Sequence, residues 1–204
     1  MPTRQYNQKL RAESAVETRQ RILDAVAERM RTAPTEPVGI DQVARLAKVA
    51  RSTIYNVFGS RVGLLEAFSE DLWDRTGFAE LTQAVKNADA LEHLRTANRA
   101  ACRMFAGDID VYRVLYAMAR LDPDAVGQVI DRTENDRRRG LGHLAKRLSE
   151  DGYLRDDVTI KQAHDLLWVI GSFDAFYLLH VGQGLSVDAA ADTLTRTAER
   201  ALCR

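Results

Sequence analysis

Apolar residues return at three- and four-residue steps along most of this chain, and little interrupts them. Ile22, Leu23, Val26 and Met30 form the first such series. Only 4 prolines and 12 glycines occur in 204 residues, so breaks are few and their positions divide the chain into helices. Ala, Leu, Arg and Glu recur throughout, residues that lose little on entering a helix. No stretch shows sustained strand alternation with hairpin chemistry. The expectation is an all-α protein of about nine helices.

Residues 1–13 are polar, with Arg4, Lys9 and Arg11, and lack an apolar period, which fits a flexible basic tail, the alternative being an arm that contacts DNA. Ser14-Ala-Val-Glu17 has the form of a capping box opening a helix of about 15 residues. Pro34 and Pro37 place a loop between Thr32 and Gly39. Two short helices follow. Ile40, Val43, Ala44 and Ala47 mark the inner face of one; Ile54, Val57 and Phe58 mark that of the other, which Gly59 ends. Ser60 is placed to cap a helix from Arg61 through Leu64, Leu65, Phe68, Leu72 and Trp73. Further helices are expected over Leu91–Phe105 and Asp110–Ala119. The next holds Pro123 in its first turn and ends near Glu150; the last two span about Thr159–Val181 and Val187–Leu202. The expected organisation is a small module at 14–60 and a helical body at 61–204.

The run Val43 to Phe58 carries the functional signal. Ala44 supplies the small residue that two steeply crossing helices need where their backbones approach. Val43 and Ala47 before the turn, and Val49, Ile54 and Val57 after it, supply the apolar contacts. This is the pattern of a helix-turn-helix, whose second helix enters a DNA major groove. Arg51, Ser52, Thr53, Tyr55 and Asn56 fall on its outward side, with groups able to reach phosphates or base edges.

Thr53-Ile-Tyr-Asn-Val-Phe-Gly-Ser-Arg61, followed by Leu64-Leu65, resembles the signature of the tetracycline-repressor (TetR) family. Thr18 to Ala25 is similar to the opening of that family's first helix. The resemblance covers about residues 17–68. It implies that Arg51 and Ser52 read bases, that Thr53 and Tyr55 contact phosphate or base, and that Asn56 faces a base edge. It also implies that Arg61, where lysine is usual, meets the phosphate backbone at the start of a helix capped by Ser60. Three positions depart from the pattern. Lys48 stands at a turn where Gly is usual, at a cost of about 1–2 kcal/mol if φ is positive there, partly offset by a phosphate contact of its own. Ala50 and Gly39 stand where capping hydroxyls are usual.

Leu166 to Leu179 is apolar nearly all round, yet too interrupted for a membrane span. One side can pack on its own subunit while the other meets a second copy. The resemblance implies a homodimer joined through the last two helices, and places Leu167, Ile170, Gly171 and Phe176, with Leu194, Ala198 and Leu202, at the seam. Two recognition helices in such a dimer read a palindromic operator. Trp73, Phe78, Met104, Phe105, Tyr112 and Tyr116 could line a cavity for a small, mainly apolar effector, with Trp168, Phe173 and Tyr177. Glu134 and Arg137 interrupt an apolar stripe formed by Val126, Ile130, Leu141, Leu144 and Leu148. They form either a polar wall of that cavity, or an exposed mid-helix segment or i,i+3 ion pair; Asp174, alone in an apolar helix, poses the same choice.

Residues 1–65 hold 11 Lys/Arg against 6 Asp/Glu, a net +5, and the remainder carries −5. A basic head on an acidic body suits a DNA-binding module joined to an effector domain. Cys102 and Cys203 are far apart and read as reduced thiols in a cytoplasmic protein, with no membrane attachment. His93, His143, His164 and His180 lack ligand spacing. No metal, cofactor or catalytic residue is expected. The function expected is a ligand-responsive repressor. The alternatives are an effector-independent structural or nucleoid-associated DNA binder and, more remotely, a helical enzyme without a recognisable motif.

Overall fold

The computed structural model describes residues 3–121 and 126–204, and side chains from residue 13 onward. Eleven α-helices lie among the described residues: α1 (Thr3–Thr32), α2 (Ile40–Ala47), α3 (Arg51–Phe58), α4 (Arg61–Thr76), α5 (Phe78–Ala84), α6 (Ala90–Gly107), α7 (Ile109–Leu121), α8 (Gln128–Glu150), α9 (Ile160–Ile170), α10 (Phe173–Tyr177) and α11 (Val187–Leu202). A π-helical turn, Leu178–Gly182, continues α10. No strand occurs among them, only one isolated bridge between Leu154 and Cys203.

Several boundaries differ from expectation. Helix α1 begins at Thr3, so segment 3–13 is helical in its backbone and Ser14 to Glu17 lies inside a helix instead of capping one. Residues 3–13 contain neither Pro nor Gly, and extending a formed helix costs far less than nucleating one. The side chains of Arg4, Lys9 and Arg11 lie outside the described residues, as does Pro123. Helix α5 was not foreseen, because its seven residues are too few for an apolar period. The expected helix 159–181 is divided at Gly171-Ser172: Gly171 ends α9, and the Ser172 hydroxyl accepts from the Ala175 N–H to start α10.

The chain divides into two compact units, residues 1–71 with 113–130, and residues 72–112 with 131–204. The first unit holds the helix-turn-helix together with most of α4 and a later segment. Its core joins Ile22, Val26 and Met30 of α1 to Ile40, Val43 and Ala47 of α2, Ile54 of α3, and Leu64, Leu65 and Phe68 of α4. The Gln20 amide donates to Asp71 at 3.3 Å, tying α1 to α4.

In the second unit, α6 and α11 meet along a polar seam. Buried Asn98 donates to the Thr195 hydroxyl at 2.9 Å, flanked by the ion pairs Arg95–Glu199 and Arg99–Asp192. The end of α11 is pinned where the Arg155 N–H donates to the Leu202 carbonyl and the Arg204 N–H to that of Tyr153. Near the start of α6, Arg147 donates to the Asn87 and Ala88 carbonyls at 2.7 and 2.6 Å and lies 3.2 Å from His93 Nδ1. His93 is buried. Desolvation, and then the charges of Arg147 and His143, push its pKa down to about 4.

An unfolded histidine titrates near 6.5, so the unfolded chain binds this proton more readily between about pH 4 and 6.5. The contribution of neutral His93 is complete above that window and is lost as pH falls through it. His93→Gln keeps a side-chain acceptor and removes the titration. Thermal melts from about pH 7 to 4 should show the parent losing stability faster than this variant; parallel profiles would refute the assignment.

Candidate nucleic-acid interface

Helix α2 buries Ile40, Val43, Ala44 and Ala47, the i, i+3, i+4, i+7 set expected of it. Its end is fixed by backbone chemistry. The Val49 N–H donates to the Ala44 carbonyl at 3.0 Å and that of Lys48 to Arg45 at 3.2 Å, the paired bonds of a Schellman turn. Such a turn needs a left-handed residue, and Lys48 has φ 53° and ψ 47°. It is the only described residue other than glycine with positive φ. The turn retains its geometry without the usual glycine, at about 1–2 kcal/mol. Gly39 and Ala50 head α2 and α3 with extended backbones and no side-chain cap, as expected from their missing hydroxyls.

Helix α3 holds its place through Ile54, its one fully buried side chain, with Phe58 half-buried beneath the Arg19 guanidinium at 4.8 Å. Val57, expected inside, is 37% exposed. At 100° per residue Phe58 lies about 40° from Ile54 and Val57 about 60° to the other side, and a two-turn helix with one anchor favours the nearer residue.

The outward side of α3 carries Arg51, Ser52, Tyr55 and Asn56, all exposed, with Thr53 half-buried and Lys48 exposed in the turn. Tyr55 is therefore not a core aromatic. Arg51 is oriented from two directions. Its Nη1 donates to Asp41 of α2 at 3.2 Å, and its Nη2 reaches the Tyr55 hydroxyl at 3.3 Å with the guanidinium 5.6 Å from the ring centre. Hydrogen bonding to Tyr55, and then the charge of Asp41, hold the Arg51 pKa above its ordinary value.

Two expected contacts have internal work. The Ser60 hydroxyl accepts from the Gly63 N–H at 2.9 Å, capping α4 as expected. Arg61 is half-buried, and its Nε donates to the Val38 carbonyl at 3.0 Å. That bond ties the α1–α2 loop to the start of α4, so its guanidinium is engaged inside the unit. Gly63 and Asp41 were missed. A Cβ at Gly63 would stand 2.2 Å from the Phe58 carbonyl oxygen. A glycine inside a helix costs about 1 kcal/mol against alanine, and that was the available signal.

In the second unit, Phe105, Tyr112, Phe173, Phe176 and Tyr177 form an aromatic cluster. Phe105 meets Tyr112 and Phe173 edge-on at 5.4 Å, and Phe173 lies 5.6 Å from Tyr177. The Tyr112 hydroxyl pairs with that of Thr76 at 2.8 Å, and burial pushes its pKa up. Met104 is buried near the end of α6, Trp73 is half-buried and Phe78 is exposed. Tyr116 falls in the other unit.

Glu134 and Arg137 form the i,i+3 ion pair, at 2.7 Å and mostly shielded. Arg137 also donates to the Trp168 carbonyl at 3.0 Å, and its guanidinium lies 3.6 Å from the Trp168 ring centre. Asp174 is exposed in the first turn of α10, where a helix N-terminus favours a negative charge.

The expected seam residues are mostly interior. Leu167, Ile170, Phe176, Leu194, Ala198 and Leu202 are buried within the single chain, and Gly171 is half-buried at a helix end. The apolar groups left open are their neighbours: Leu166 and Val169 on α9, and Leu178 and Val181 in the π-turn. Among the described residues no group of His, Cys, Asp and Glu could hold a metal ion, and no helix is long and apolar enough to cross a membrane.

No protein-family model matches the chain. Over 57 residues it is 40% identical to the HTH-type transcriptional regulator AlkX of Mycobacterium tuberculosis, and that stretch is 28% of this chain. It spans 27% of that curated relative, about a quarter of its length. Solved structures match far more of the fold. NalD of Pseudomonas aeruginosa, the secondary repressor of the MexAB-OprM efflux pump, has a TM-score of 0.72 at 19% identity, covering 94% of this chain and 98% of its own. A TetR-family regulator from Syntrophomonas wolfei gives 0.72 at 15% identity, covering 90% and 93%. FadR of Bacillus subtilis, solved with stearoyl-CoA, gives 0.72 at 16% identity, covering 88% and 96%. Architecture and turn geometry define a helix-turn-helix protein with a helical body. Within that class, the fold is that of the TetR-family transcriptional regulators.

Gly63→Ala tests the joint that holds α3 against α4. Displacing the Phe58 carbonyl should cost about 1–3 kcal/mol, read as a lower denaturant midpoint. An unchanged or higher midpoint would show that the close approach carries no weight.

Proposed function

We propose that this protein is a DNA-binding transcriptional regulator that reads a palindromic operator as a homodimer and answers to a small, mainly apolar effector. The observation that supports this best is the outward side of α3. Cationic, hydroxyl and amide groups stand exposed there on a helix held from behind by Ile54. Arg51, Ser52 and Asn56 are assigned to base edges, and Lys48, Thr53 and Tyr55 to phosphates or bases. Ser60 and Arg61 flank the site at the head of α4, with Arg61 serving chiefly to hold the frame through Val38. Blocking polymerase at the operator is the mode of action assigned, in keeping with NalD, described as a repressor.

The effector is assigned to the second unit, where the aromatic cluster of Phe105, Tyr112, Phe173 and Tyr177 offers apolar surface and Tyr112 with Thr76 a polar end. Glu134, Arg137 and Trp168 are a second polar group in that unit. The stearoyl-CoA complex of FadR favours a ligand with a long apolar part. Dimerisation is assigned to the exposed face of α9 and the π-turn. A substantial apolar face left open on one chain is what a stable self-association covers.

Two measurements test this. Against a duplex selected from random sequence, Tyr55→Ala should bind at least about tenfold more weakly, and Lys48→Gln should lower the salt slope by about one while keeping sequence preference. Unchanged affinity and slope in both would sink the reading. Val169→Asp combined with Leu178→Asp should convert a dimer to a monomer by light scattering; a persistent dimer would place the seam elsewhere.

A further inference from the structure

We propose that Asp41 is a positioning residue that sets the Arg51 guanidinium for one guanine of the bound DNA, an inference that rests on α3 being the recognition helix. Arg51 opens α3, and Asp41 sits in the first turn of α2, across the turn from it. Arg51 Nη1 lies 3.2 and 3.4 Å from the two Asp41 carboxylate oxygens. Its Nη2 lies 3.3 Å from the Tyr55 hydroxyl, one helical turn on, and the guanidinium packs against that ring. A long side chain with many rotamers is thereby held at both nitrogen tips.

The chemistry selects the base. A planar guanidinium keeps N–H groups beyond those bonds, and a pair of them matches the O6 and N7 acceptors of guanine in the major groove. Adenine offers a donor at the position of O6 and repels it. A carboxylate beside a DNA-facing helix repels phosphate, so Asp41 weakens binding to DNA of any sequence. Its position is explained if what it contributes is discrimination. The size is bounded, since both side chains are largely exposed, 59% for Arg51 and 62% for Asp41. Exposed ion pairs of this kind correspond to at most about a fivefold effect.

The test uses the full-length protein and duplexes selected from random sequence. Arg51→Ala identifies the base pair whose preference depends on Arg51, and 7-deazaguanine placed there removes N7. The parent should lose about tenfold in affinity on that substitution. Asp41→Asn should bind random duplex slightly more tightly, lose about three- to fivefold in the ratio of selected to random binding, and show a smaller 7-deazaguanine penalty. Asp41→Glu should restore part of the ratio. Equal thermal midpoints for Asp41→Asn and the parent exclude a folding defect, and a lower midpoint is met by comparing the 7-deazaguanine penalty alone, measured on folded protein. An unchanged ratio and full penalty in Asp41→Asn overturn the proposal while leaving the DNA-binding reading intact. A base other than guanine at that position also overturns it. If the parent selects no sequence over random duplex, the reading of α3 fails and this proposal with it.

Discussion

An eight-residue helix does not persist alone in water, because nucleation costs more than two turns of hydrogen bonds return. Helices α2 and α3 are both of that length, so each exists only where a neighbour covers its apolar side. Helix α1 and the first part of α4 provide that cover through Ile22, Val26, Met30, Leu64, Leu65 and Phe68. This dependence explains the weak local chemistry of the two short helices. With no side-chain cap at Gly39 or Ala50 and a left-handed Lys48 between them, neither helix is locally well encoded. The shared core and the Schellman bonds to Ala44 and Arg45 offset the deficit. The same arrangement leaves α3 with a single deep anchor, and with Arg51, Ser52, Tyr55, Asn56 and Val57 exposed.

How much of this was legible in the sequence depended on whether one residue or many carried the signal. The four inward positions of α2 and the Ser60 cap follow from local chemistry and were readable one at a time, whereas the left-handed turn at Lys48 was legible only through the family resemblance, since lysine itself disfavours it. Val57 was not, because period alone cannot choose between two residues on either side of a single anchor. The start of α1 was missed for a related reason: residues 3–13 have no apolar face to announce a helix, and their continuity depends on the helix already formed beyond them.

The body shows the limit of periodicity more sharply. In Leu166 to Leu179 nearly every position is apolar, so no pattern says which side faces the protein's own core. The structure turns Leu167 and Ile170 inward and leaves Leu166 and Val169 open, one position away in each case. Which of two adjacent positions stays open in such a run is thus decided by a single step of about 100°. Ser172 was hidden the same way. A hydroxyl in an apolar run reads as tolerated, whereas it accepts from Ala175 and restarts the helix.

Charged residues in apolar surroundings were more informative than apolar ones. The conflict posed by Glu134 and Arg137 resolves into an ion pair that also grips Trp168 by carbonyl and ring. Because these groups are shielded, each must be satisfied, and removing either leaves its partner's charge exposed to a low-dielectric setting. The pair at Arg51 and Asp41 is the opposite case. Water surrounds both groups, so breaking it costs the fold little, and its consequence falls on where the guanidinium is held. Burial thus separates a polar group that maintains the body from one free to act on a partner. By that criterion the Arg51–Asp41 pair belongs to the second kind.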